Sequence, residues 1–277
     1  MPTGDALATP LLAADEPPPV VVEGEARGGP TVVVCEHAGR RIPRALDDLG
    51  LPREALDRHF MWVIGALPLA RAVAERLDAP LVHQPFSRMV CDCNRPVDVP
   101  SFAPDSGEGL PVPGNVGLTA QDRAARAEAI WKPFHDRLAR LLAGRKAHGV
   151  PTALLAIHTF TPVFFGVPRS VLAGVLFDRD AAFAPALLAA LAQGDPRIAA
   201  NEPYRIERDG DWTIPFHGED GGIPCALVEV RNDLLSSEAG VAVWADRIAA
   251  ATRAALTAAG IDPSGGRTRL EREGLSG

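Results

Sequence analysis

The sequence predicts a single α/β domain built on a mixed, largely parallel sheet. Short runs of apolar and β-branched residues recur along the chain, as in strands buried on both faces. Amphipathic helical segments alternate with them. No internal repeat or linker divides the middle of the 277 residues. That length gives a soft count of about two domains at ~150 residues each and lies near the ~250 that single α/β domains reach.

In order, residues 1–29 read as a flexible tail, rich in Pro, Ala and Gly. The domain spans 30–262 and opens with Thr31–Glu36, a β-branched strand that delivers His37-Ala38-Gly39 at its end. Arg53 to Leu77 reads as a helix, with Ile64, Leu67, Ala70, Ala74 and Leu77 at helical spacing and Pro68 as a bend. Pro80–His83 and Met89–Cys93 are strand candidates, followed by a Pro- and Gly-rich loop, Pro96–Leu118, of the kind that forms lids or binding loops. Thr119 and Asp122 are placed to cap a helix running to Leu142, stopped by Gly149. Thr152–Ile157 is a strand delivering His158, Val171–Phe177 another, Ala181–Ala192 a helix, and Pro224–Val230 the strand carrying Glu229. Ser237–Ala259 closes the domain as a helix stopped by Gly260, and 263–277 reads as a second loose tail.

Composition narrows the function. Hydrophobic residues make up 47% and charged residues 23%, enough for a sizeable core. The net charge of −7 argues against a nucleic-acid or anionic-membrane binder, while leaving room for a local cationic pocket. Four cysteines make no disulfide scaffold. No basic start, signal-type run or membrane-length apolar stretch occurs, so the expected location is cytoplasmic and the expected partner a small molecule.

The chemistry rests on a short list. His37 and His158 each follow a different buried strand, so they either share a metal site or merely cap strand ends. Glu229 interrupts an apolar strand; a buried carboxylate is costly unless it is paired, for instance to Arg231, or serves as a general base. Arg88, Asn94 and Arg95 flank an apolar run and either grip substrate carboxylates or knit a turn to the core. His217 lies beside a glycine-rich turn and reads as a candidate to line the pocket and bind substrate, whereas His83, His135 and His148 read as ordinary structural residues. Cys91 and Cys93 read as buried small apolar residues.

Taken together, VVVCEHAG at Val32–Gly39, HFMWVIGA at His59–Ala66, FSRMVCDCNRP at Phe86–Pro96, AIHTFTPV at Ala156–Val163, NEPY at Asn201–Tyr204, TIPFHGE at Thr213–Glu219 and LVEVRNDL at Leu227–Leu234 resemble the N-formylglutamate amidohydrolase family. The resemblance covers most of residues 31–250. It implies a three-layer α/β/α sandwich on a mixed sheet, similar to zinc carboxypeptidases, and hydrolysis of an N-formyl or similar N-acyl amide of an acidic amino acid. It also implies one Zn²⁺ per chain with His37 and His158 as ligands, Glu229 as general base and acid, and Arg88, Asn94 and Arg95 on the substrate.

The chain departs from the family pattern at Val63, where that pattern has an Asp that would supply the third metal ligand. Three readings stand. His59, one helical turn earlier and on the same face, completes a three-His site. Alternatively, water or Glu36 fills in, although a regular strand points Glu36 away from His37. Or the protein is a degraded relative that binds without turnover. Deacylation of a different N-acyl amino acid is a further alternative.

Overall fold

The computed structural model describes residues 10–265, and a seven-stranded sheet runs through their centre. In chain order the strands are β1 (Val21–Glu23), β2 (Thr31–Cys35), β3 (Leu81–His83), β4 (Ala153–Phe160), β5 (Ala173–Leu176), β6 (Ile198–Ala200) and β7 (Cys225–Arg231). Across the sheet they lie in the order β1-β3-β2-β4-β7-β5-β6. Four of the six pairings are parallel; β1 with β3 and β7 with β5 are antiparallel.

The helices are α1 (Ala66–Arg76), α2 (Ala120–Arg126), α3 (Lys132–Ala147), α4 (Phe183–Ala192) and α5 (Glu238–Ala258). Side chains alternate between the two faces of the sheet, and this splits the core in two. Val33, Leu155 and Val228 pack with α1, α4 and α5 on one face. Val34, Ala156 and Leu227 pack with Phe134 and Leu138 of α3 on the other. The outcome is the expected three-layer α/β/α sandwich. Among the described residues no helix is long and apolar enough to cross a membrane.

Caps behave as the sequence requires. Thr119 and Asp122 form a reciprocal capping box at α2, Ser237 caps α5, and α2 runs into α3 through a π-helical turn at Ala127–Trp131.

Four expectations need correction. The helix expected from Arg53 begins only at Ala66; Arg53–Ala55 is a 3-10 turn and residues 56–65 are turns. Gly65, at φ +87°, caps α1, and Pro68 falls in its first turn, where a missing N–H costs nothing, so it starts the helix instead of bending it. The run Met89–Cys93 is not a strand but a buried turn, in which Ser87 Oγ accepts from Met89 N and Asn115 donates to the Met89 carbonyl. The tail expected over 1–29 contains an edge strand: β1 pairs with β3, and Glu23 binds His83 and Arg71. Finally, β6 adds a strand to the far edge. Residues 1–9 and 266–277 lie outside the described residues.

Candidate active site

The site lies at the C-terminal ends of the central strands, where open α/β sheets bind ligands. In β7, Glu229 stands in register with His158 of the parallel neighbour β4. Its Oε1 lies 3.9 Å from His158 Nδ1. Just past β2, the His37 ring lies 4.7 Å from the His158 ring, centroid to centroid. Three adjacent strands therefore deliver the three groups, and all are buried.

Each imidazole is held from behind by a carboxylate. His37 Nε2 donates to Asp92 Oδ1 at 2.6 Å, and His158 Nε2 donates to Glu36 Oε2 at 2.9 Å. These bonds leave both Nδ1 atoms unclaimed; His37 Nδ1 and Glu229 Oε2 are buried with no hydrogen-bond partner among the described residues. Glu36 does point away from His37, as strand alternation requires, but it thereby meets His158 on the α3 side of the sheet.

The electrostatics follow from burial and these pairings. Burial opposes charge on Glu36, but His158 overrides it and brings the carboxyl down to about 2. Asp92 is held well below its usual value by Arg88 and His37 in spite of its burial. Burial lowers His37 to about 4 against the pull of Asp92. For His158, burial is outweighed by Glu36 and Glu229, and the pKa is raised. Burial pushes Glu229 up to about 7, with His158 and Arg88 acting against it.

Around this centre lies a cavity of about 600 Å³. Arg88 lines it while donating to Asp92 Oδ2 at 2.6 Å. Asn94 donates to Asp211 at 3.0 Å and accepts from Thr213 N at 3.0 Å, and Arg95 pairs with Asp211 and the Gly210 carbonyl. The segment from Asn201 to Glu207 covers the sheet beside Glu229. It approaches so closely because Gly174, the cross-strand partner of Glu229, has no Cβ; one would run into the Glu202 carbonyl oxygen.

Two expected site residues are placed differently. His59 lines the cavity, but its Nε2 donates to the Thr159 carbonyl at 3.0 Å and its Nδ1 accepts from Ile64 N and Asn232 Nδ2. Both nitrogens are engaged, and the helical turn that was to place His59 and Val63 on one face does not form. His217 is not among the cavity-lining residues. It stacks on His135, with Nε2 donating to His135 Nδ1 at 2.9 Å, while His135 Nε2 donates to the Cys93 carbonyl.

Sequence reasoning weighed Glu36 only as a stand-in ligand, not as the partner of His158, and assigned no role to Asp92, Asp211 or Tyr204. For Asp92 a signal existed: an acid in an otherwise apolar, fully buried run.

The donor chemistry suits a borderline cation such as zinc. Metal-ligating histidines typically donate their other N–H to a carboxylate, as both do here. A catalytic zinc usually takes a third protein ligand, and among the described residues no group of three His, Cys, Asp or Glu side chains is placed to hold one. Val63, 2% exposed, lines the cavity and donates its amide to the His37 carbonyl.

The comparisons bear on the fold and the family. A gene product of Agrobacterium tumefaciens, Atu2144, is 38% identical over 90% of this chain and 99% of its own, with a TM-score of 0.87. The N-formylglutamate amidohydrolase of Ralstonia eutropha JMP134 shares the fold at 18% identity and a TM-score of 0.60, over 87% of this chain and 98% of that one. None of the curated proteins matches. The family model for N-formylglutamate amidohydrolase matches residues 29–236, a span containing every residue of the centre. The chain therefore belongs to the N-formylglutamate amidohydrolase family of amide-cleaving hydrolases.

Proposed function

We propose that this protein hydrolyses the N-formyl amide of an acidic amino acid such as N-formylglutamate, with a divalent ion, zinc by its donor set, held by His37 and His158. The observation that carries this reading is the pair of carboxylate-backed imidazoles beside Glu229. When bound, such an ion polarises the amide carbonyl and acidifies water.

The chain's own groups do the rest. Glu229 takes a proton from the attacking water and passes it to the leaving nitrogen, so that the C–N bond breaks to formate and the free amino acid. Arg88, Asn94 and Arg95 present their remaining donors to the substrate's carboxylates. Asp92 and Glu36 fix the imidazole tautomers. Four free, buried cysteines support a reducing, cytoplasmic location.

The test is formate release from N-formylglutamate by purified protein supplied with zinc. Turnover is expected, and Glu229→Gln should lower kcat by about 10²–10⁴-fold. Absence of turnover under metal excess would overturn the reading. A second reading, a relative that binds the substrate without cleaving it, is favoured by one observation: the apolar Val63 in the wall of the site. In that case Val63→Asp, not the natural chain, would show the activity.

A further inference from the structure

The cavity is bipartite. Its polar end is the one just described. Its other wall carries the apolar side chains of Phe60, Leu176, Leu227, Ile206, Tyr204 and Phe164, set among polar residues of the covering segment 201–207. Leu227 lies two residues before Glu229, hence on the same face of β7, and Leu176 stands opposite it on β5. Apolar surface therefore begins beside the general base.

The outer part of this wall is fixed in place while still facing solvent. Phe164 and Tyr204 are 40% and 41% exposed. Arg169 locks both, its guanidinium 4.5 Å from the Phe164 ring and 5.0 Å from the Tyr204 ring, with Nη2 donating to the Tyr204 hydroxyl at 2.9 Å. The adjacent Phe165, at the tip of the Val163–Pro168 hairpin, reaches the loop at Gly109. Large exposed apolar surfaces in a cleft mark ligand sites.

Size sharpens the point. N-formylglutamate has roughly a dozen non-hydrogen atoms, and even at the ~30 Å³ that a water occupies they would fill only about 360 Å³. The cavity holds about 600 Å³. With the substrate carboxylates on the arginines and the amide beside Glu229, the part of the substrate left to meet these apolar side chains is its acyl group. A formyl group, one carbon and one oxygen, touches almost none of them.

The geometry points to an acyl group larger than formyl: the preferred substrates are acidic amino acids carrying an apolar acyl group, branched-chain or aromatic, seated between Leu227, Phe164 and Tyr204. This rests on the hydrolase reading above, keeps its acidic amino acid and replaces formyl as the preferred acyl group.

The experiment compares N-formyl-, N-acetyl-, N-isovaleryl- and N-benzoyl-L-glutamate with the full chain under metal excess. The expected result is a kcat/KM for the isovaleryl or benzoyl amide at least about tenfold above that for the formyl amide, the discrimination a single well-packed methylene can supply. Phe164→Ala and Tyr204→Ala should each pull that ratio back toward one. A ratio below one in the natural chain, or one that neither variant moves, overturns the inference. If none of the four is cleaved, the hydrolase reading fails separately, and calorimetry decides the inference: tighter binding of N-benzoylglutamate than of N-formylglutamate upholds it, and equal or weaker binding overturns it.

Discussion

Two pairs of histidines lie buried in this protein, and they have opposite fates. His37 and His158 each donate to a carboxylate, Asp92 and Glu36. His135 donates to a backbone carbonyl and accepts from His217, packed among Trp131, Trp212 and Phe216. Both pairs are equally removed from water. Glu36 and Glu229 raise the pKa of His158 against its burial, and Glu36 and Asp92 hold the two rings in the manner the proposed ligand role would require. Burial brings His135 to about 3 and His217 to about 4, and His37 also falls to about 4 in spite of Asp92, so among the four only His158, between Glu36 and Glu229, is raised. Burial alone therefore says little about what an imidazole does; the atom behind it decides.

The largest test of this contrast is metal retention. His37→Ala or His158→Ala should abolish zinc binding measured by calorimetry, while His217→Gln leaves it intact. Equal losses in all three variants would erase the distinction between the pairs.

A smaller effect is expected one layer out. Asp92→Asn keeps the shape but removes the charge behind His37, and should weaken zinc by about 10–100-fold. Val63→Asp should act in the opposite sense by adding a donor. An unchanged affinity in Val63→Asp would mean that the side chain at 63 does not reach the ion.

The smallest effect is on acid stability. His217 has a folded pKa near 4, below the ~6.5 of an unfolded chain. Between those values the unfolded state binds the proton and the folded state does not. Stability is thus fully present above ~6.5, falls as the pH drops, and loses no more from this group below about 4. Thermal melts at pH 7 and 4.5 should show a smaller acid loss in His217→Gln than in the natural chain; parallel losses would reject the assignment.

The strands that bring His37, His158 and Glu229 together are legible in the sequence, because an apolar run ending in His or Glu is a local signal. His37, His158 and Glu229 were readable for that reason. What holds them was not: His37 and Asp92 are 55 residues apart, and Glu36 and His158 are 122 apart, so only the folded sheet brings them together. The run Met89–Cys93 misled because apolar periodicity marks burial, and a turn can be as buried as a strand. His59 misled because its apparent helical spacing to Val63 belongs to a helix that starts only after Gly65, a residue whose left-handed φ ends the turn before it.

The in-register pairing of Glu229 with His158 has one more consequence. Their spacing is set by the ladder between two central strands, about 4.8 Å apart, and not by any loop. Such ladders exchange their amide hydrogens last and open only when the whole domain does. The loops bearing Glu108, Phe164 and Tyr204 can therefore be remodelled, over generations or at the bench, without loosening the reacting groups. Substrate choice is free to drift here while the chemistry keeps its place.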